Sequence, residues 1–315
     1  MIRMFNLIRN ENMKLYSRAS TLVMYGILTV LVVAIAIIIN FTLVDKNHNW
    51  KQNLMEENMS LEANISQMDD SNLAKKQHIK TMAINKYRIE KGIAPLNHNS
   101  FWGLIVNATS LISIISIFVI IIGTGILTSE FSVGTIKLLL IRPFKRYKIL
   151  LSKYFTIILN SLSMLTTLLI LSIIIGAIFF GFESINQPYL IYSNGAVREV
   201  NMLWYILSIY GYKSINLLMI STFAFMLSII FQNNSLAIGL SILLLFTGSS
   251  IVNLLSRYTW SKYILFANTN LHVYMDGIPP VEGMTLGFSI GVLLIYYLIF
   301  MITPLAVFQK RDVVV

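Results

Sequence analysis

Cysteine is absent from the 315 residues, which excludes disulfides, thiolate metal sites and cysteine nucleophiles. Charge is scarce: 12% of residues are Asp, Glu, Lys or Arg, against about a quarter in an ordinary soluble domain. Hydrophobic residues make up 56%. No GxxxxGK(S/T) phosphate loop occurs, so the chain does not itself bind ATP through one. The long apolar runs contain no paired carboxylates. Histidine is limited to His48, His78, His98 and His272. His48 and His98 could approach each other, but two histidines without cysteine or a nearby carboxylate make a poor zinc site. Neither catalytic residues nor cofactor or metal ligands are expected.

What is present is lipid-compatible sequence. Apolar runs of 20 or so residues suffice to cross a bilayer, and six are read: residues 20–44, 101–128, 149–182, 204–231, 236–255 and 285–308. Gly211-Tyr212-Lys213 is expected to break the first part of the fourth, and Pro304 to kink the sixth. The spans are otherwise nearly free of ionisable groups, which argues against an ion-coupled carrier. Asn160, Ser161, Ser163, Thr166 and Thr167 suggest hydrogen bonds between helices, and Gly123 and Gly125 close helix approach.

The formal charge of +10 is unevenly placed. If both ends of the chain are cytoplasmic, the segments on that side hold twelve basic and three acidic residues, and the remainder twelve and eleven. An excess of Lys and Arg inside is the usual pattern, so this orientation and not nucleic-acid binding explains the basicity. Residues 1–19 then read as a cytoplasmic interfacial amphipathic helix. Arg3, Asn10, Lys14 and Arg18 fall within an arc of roughly 80°, with Ile2, Phe5, Ile8, Met13 and Tyr16 on the broad opposite side. Residues 309–315 form a cytoplasmic tail.

Residues 45–100 make an extracellular insertion between the first two spans. Leu54, Leu61, Ile65 and Met68 form a heptad-like row, 69–72 read as a turn, and a second helix carries Leu73, Ile79, Met82, Ala83 and Tyr87 to an end near Gly92. An antiparallel helical hairpin fits. Residues 183–203 read as an outer loop, and 256–284 as another with interfacial helices, rich in Tyr and Trp. The fold class expected is an all-α polytopic membrane protein.

One polar stretch, 129–148 with Lys153 just beyond, divides the second span from the third. It carries Lys137, Arg142, Lys145, Arg146, Lys148 and Lys153 against the single acid Glu130. Ile136, Leu139 and Leu140 share one helical face. Ser132 or Thr135 could cap that helix, Gly134 permits close backbone approach, and Pro143 ends it. An apolar patch on such a short cytoplasmic helix calls for a cover of lipid or partner. Glu130 could instead pair with Lys145, Arg146 or the N-terminal helix.

The order Glu130, Gly134-Thr135, Ile136, Leu139-Leu140, Pro143, Arg146 closely resembles type-2 ABC exporter permeases, where this pattern lies between the second and third of six spans. The N-terminal helix and the interfacial helices before the last span match as well. The long first outer loop departs from compact members and resembles bacillary permeases of drug or peptide resistance. The resemblance implies a bacterial plasma-membrane subunit without catalysis of its own. A separate cytoplasmic ABC ATPase carries ATP and Mg, a second permease chain pairs with this one, and membrane lipid surrounds both. By the same resemblance Glu130, Gly134, Thr135, Ile136, Leu139, Leu140, Pro143 and Arg146 dock the ATPase and couple it to export of an amphipathic peptide, antibiotic or lipid-like substrate. The alternatives are an ion-coupled secondary carrier or channel, and a non-transporting membrane sensor or immunity protein.

Overall fold

Lipid offers no hydrogen bonds to a backbone, so a chain this apolar folds into helices that satisfy their own. The structure, a computed structural model, describes residues 2–42, 49–68, 73–132, 134, 145–182, 185–193, 195–275 and 278–310. In chain order these form α1 (Ile2–Tyr16), α2 (Ala19–Thr42), α3 (Trp50–Ile65), α4 (Leu73–Lys91), α5 (Phe101–Ala108), α6 (Ile112–Ser132) and α7 (Arg146–Phe180). Then come the strands β1 (Tyr189–Ser193) and β2 (Ala196–Val200), followed by α8 (Met202–Phe231), α9 (Asn234–Leu255), α10 (Leu265–Asn268) and α11 (Leu286–Lys310). Among the described residues six segments are long and apolar enough to cross a membrane: α2, α5 with α6, α7, α8, α9 and α11.

The α5–α6 span and α8 are the most enclosed, and they pack along one another. Around them stand α7, α9 and α11, while α2 lies against α7 and α5 at the periphery. The interior is filled by Leu104, Ile105, Ile115, Leu127, Ile157, Leu168 and Phe225, all buried. Outward-facing Leu22, Val30, Phe246, Leu254 and Ile302 meet the solvent that suits them if that solvent is lipid.

Several expectations need correction. The second span is not one helix: a 3-10 turn at Thr109–Leu111 separates α5 from α6. Conversely, α8 runs unbroken through Gly211; an isolated glycine lowers helix propensity by about 1 kcal/mol, too little to interrupt thirty residues that have no alternative hydrogen-bond partner in lipid. The region read as an outer loop contains an antiparallel ribbon, with Tyr189 opposite Val200 and Ser193 opposite Ala196. The fold is therefore mostly helical and not all-α. Helix α11 continues through Pro304.

Helices α3 and α4 pack together, with Leu54 and Leu61 buried between them. Asn85 is buried there too and donates to Glu57 Oε2 (3.1 Å) and Asn58 Oδ1 (3.2 Å). Ile79, expected on the apolar face, is exposed. Helix α4 ends at Lys91, and Gly92 takes φ +67°, the left-handed geometry that closes a helix. Tyr87 donates to Glu199 Oε1 (3.0 Å), and Lys76 pairs with Glu282 (2.6 Å), tying the insertion to the ribbon and to the segment before α11. The turn read at 69–72 lies outside the described residues.

Between α9 and α11 the chain makes a 3-10 turn at Thr259–Tyr263, the short α10 and a second 3-10 turn at Leu271–Tyr274. Phe266 of α10 presses into α9 where Gly248 has no side chain; a Cβ there would overlap the ring. Asn268 holds the segment by donating to the carbonyls of Lys262 and Ile264, both at 2.8 Å, and by accepting from Ser289 (2.7 Å).

Candidate functional site at the α1–α6–α7 junction

A charge inside a membrane helix is costly unless paired, and this bundle holds paired charges where α1, α6 and α7 meet. Lys153 lies two turns into α7 and is 0% exposed. Its Nζ donates to Glu130 Oε1 (2.6 Å), to Glu11 Oε2 (2.9 Å) and to the Ile126 carbonyl (3.4 Å). Those three bonds use the full donor capacity of an ammonium. Lys14 closes the cluster from α1, at 3.1 Å from Glu11 Oε1 and 3.9 Å from Glu130 Oε1. Two carboxylates and two ammonium groups balance. Burial pushes the Glu11 carboxyl up, but Lys153 and Lys14 outweigh it and hold the group below its usual range.

Three elements meet at this point. Helix α1 supplies Glu11 and Lys14, the end of α6 supplies Glu130, and the start of α7 supplies Lys153. The buried side of α1 is Glu11 and Leu15, with Ile8 partly covered, while Phe5, Met13 and Tyr16 are exposed. The expected single apolar face is therefore split. One part packs on α7, to which α1 is joined through Lys153, and the other faces outward. Next to the cluster, Thr21 Oγ1 donates to the Leu15 carbonyl (2.8 Å) at the α1–α2 corner.

Glu130 thus pairs with Lys153 and with the N-terminal helix through Lys14. Arg146 instead donates to the Gln309 carbonyl at the end of α11 (3.5 Å), and Lys145 stands in extended geometry at the residue before α7, with no side-chain bond to the helix. Gly134 is exposed at φ +75°, with nothing within 4 Å of where its Cβ would stand. Its left-handed geometry is one that glycine adopts without strain, and the helix whose close approach it was expected to permit lies outside the described residues. Ser132 is the last residue of α6, and the helix it was expected to cap lies outside the described residues. Thr135, Ile136, Leu139, Leu140 and Pro143 lie outside the described residues.

The polar residues of the third span divide. Tyr25 of α2 donates to Ser163 Oγ (3.0 Å) and approaches Asn160 Oδ1 (3.4 Å), as hydrogen bonding between helices requires. Ser161 and Thr166 turn back onto the carbonyls of Ile158 and Leu162 in their own helix. A Cβ on Gly123 would meet Ile157 and the Ser221 carbonyl at ordinary contact distance, so α6 does run against α7 and α8 there, whereas Gly125 faces open space. Among the described residues no group of three metal-ligating side chains occurs. His98 lies 3.3 Å from Asn107 Nδ2, His272 packs edge-on to Tyr205, and His48 lies outside the described residues.

Lys153 was visible in the sequence as one more basic residue of the elbow. A sharper signal was available: Glu11 is the sole acid of residues 1–44 and Glu130 the sole acid of 101–182, while Lys153 stands inside an apolar run. A cation there needs an acid, and these are the acids at hand.

Comparison with known proteins gives relatives of matching length. The chain is 42% identical to the uncharacterized protein YhcI of Bacillus subtilis (strain 168) over 314 residues, which covers 98% of this chain and 99% of that one. It is 31% identical to the uncharacterized membrane protein YdbK of the same organism over 217 residues, 68% of this chain and 84% of that one. The model of the protein family of unknown function DUF2705 matches residues 71–314. With a match over most of its length, the chain belongs to the DUF2705 family.

Proposed function

We propose that this chain is the membrane-spanning permease subunit of a type-2 ABC exporter, in the bacterial plasma membrane, with both ends cytoplasmic. The observation that carries the reading is the buried Glu11–Lys153–Glu130 cluster. It joins the two helices that flank the Gly134-Thr135…Leu139-Leu140…Pro143 motif to each other and to the N-terminal helix. A partner that moved the motif would therefore move α1, α6 and α7 as one unit. Such a link is what a transmission element needs, and it involves no chemistry on a substrate. ATP would be bound and hydrolysed by a separate cytoplasmic ATPase, and a second permease chain would complete the route.

The test is co-purification with ATPases encoded beside this gene. Leu139→Asp with Leu140→Asp leaves the ion cluster intact and should abolish both capture of the ATPase and its stimulated ATP turnover. Capture and turnover equal to the parent protein would remove the docking assignment. Transport driven by an ion gradient without any ATPase would favour a secondary carrier instead. Labels placed near Asp70 should react from outside the cell, and labels near Lys145 only after the membrane is opened.

A further inference from the structure

Apart from Lys153 and Glu130, the enclosed part of the bundle contains one further ionisable group of the Asp, Glu, Lys or Arg kind, Lys213 of α8. Among the described residues it has neither an ion pair nor a hydrogen bond to its side chain, and it is half-buried. Trp204, 66% exposed, marks where α8 enters an interface, since tryptophan gathers at headgroup level. Lys213 follows nine residues later, about 14 Å deeper along the helix axis. That is further than a lysine side chain extends, so the ammonium does not regain the headgroup level from there.

Its surroundings are built in register. Ile120 of α6 and Ile220 of α8 are buried in one layer, against which Ile242 of α9 packs. Seven residues from each, on the same helix faces and toward the same end of the bundle, stand Ser113, Lys213 and Ser249. Ser113 and Ser249 are exposed, as are Ser250 and Asn253 beyond them, and Asn216 is half-buried beside Lys213. The face shared by the three helices closes at the isoleucine layer and opens two turns further on, where its lining changes from isoleucine to serine, asparagine and lysine.

The missing partner is an anion. No acid in this chain's spans can provide it, because the only one is Glu130, engaged with Lys153 and about 25 Å further along α6. The spans of a second copy have the same composition and offer no more. We propose that Lys213, with Ser113 and Ser249, forms a site for the anionic head of an amphiphile, a phosphate or carboxylate carried on an apolar body, within the membrane-spanning region. This assignment rests on the exporter reading only in making that amphiphile the transported substrate; the binding site itself does not require it.

The full-length protein in nanodiscs of uncharged phosphatidylcholine provides the test, without nucleotide or ATPase. The probes are a photoactivatable alkyl phosphate, the matching alkyl carboxylate and the matching alkyl alcohol. The phosphate and carboxylate probes should bind better than the alcohol and cross-link within residues 208–216. Lys213→Met and Lys213→Gln should each weaken anionic binding about tenfold, as loss of a charge-assisted contact does, and leave the alcohol unchanged. Lys213→Arg should stay close to the parent. Anionic probes that bind no better than the alcohol, binding indifferent to both neutral substitutions, or cross-links confined to α1 and the Lys145–Lys148 elbow as surface lipid would give, each overturns the site. Anionic binding at Lys213 in a protein that captures no ATPase would sink the exporter reading and leave the site standing.

Discussion

Lys153→Met isolates the buried cluster. The parent places one ammonium, 0% exposed, at 2.6 Å and 2.9 Å from two carboxylates that are themselves buried or nearly so. Methionine has a similar length and no charge, so packing changes little while Glu11 and Glu130 lose the group that offsets their desolvation. Only Lys14 remains, from an exposed position. Removing one partner of a buried pair costs about 3–5 kcal/mol, because the other charge stays behind uncompensated. The assay is thermal unfolding of the detergent-solubilised protein as a function of pH. In the variant the Glu11 carboxyl keeps its desolvation and loses the Lys153 charge that outweighed it, so it shifts upward, above its unfolded value. Such a group stabilises the fold below the unfolded value and loses that contribution as pH rises through the folded one. The variant should therefore be far less stable than the parent at pH 7 and recover on acidification. Adding Glu11→Gln and Glu130→Gln to Lys153→Met should restore most of the loss at pH 7, since a fully neutral cluster is nearly as good as a fully paired one. A loss below about 1 kcal/mol with no recovery in acid would refute the claim that this cluster is buried and paired.

Further outcomes follow from the same geometry. In the parent, the Glu11 carboxyl sits below its ordinary value of 4.5, so its contribution is present above that pH and should fade below it; a melting profile flat down to pH 3 contradicts the pairing. Gly248→Ala puts a methyl group into the Phe266 ring and should cost about 1–3 kcal/mol, with Phe266→Ala in the same chain recovering the collision part of that loss. Tyr25→Phe removes the bond to Ser163 and should cost about 0.6 kcal/mol, the usual size inside a bilayer, in the same unfolding assay.

How far the sequence speaks depends on which physical term decides each element. The six apolar segments were legible because length and hydropathy alone settle them. The α3–α4 pairing was legible in part: Leu54 and Leu61 are buried as the heptad spacing asks, but the polar Asn85, outside the row of apolar residues read on the second helix, is buried there too while Ile79 is exposed. Gly211 misled, because glycine punctuates chains in water and does so poorly in lipid. The ribbon at 189–200 was missed although Asn194-Gly195, between runs of alternating residues, is a strong hairpin signal. Its two strands are only five residues each, short beside the long helices that dominate the hydropathy pattern. The break at Thr109–Leu111 carries neither proline nor glycine, and nothing local announces it. At the candidate site the docking motif contains Glu130, whereas the link from Lys153 to Glu11 spans 142 positions and no local pattern encodes it.

The distance in sequence within that cluster has a consequence for how the protein is made. Glu11 and Lys153 are 142 positions apart. At about 5–20 residues per second, the ribosome takes roughly 7–28 s to deliver the lysine after the glutamate. Throughout that interval α1 carries a carboxylate whose buried partner does not yet exist, with only the exposed Lys14 beside it, and it must wait at the water boundary while α2 and then α5 and α6 enter the membrane. The N-terminal helix is thus made before the helix it packs on and docks only after the third span arrives. A chain truncated before residue 153 should leave its first helix undocked, open to the proteases and chaperones that attend unfinished membrane proteins.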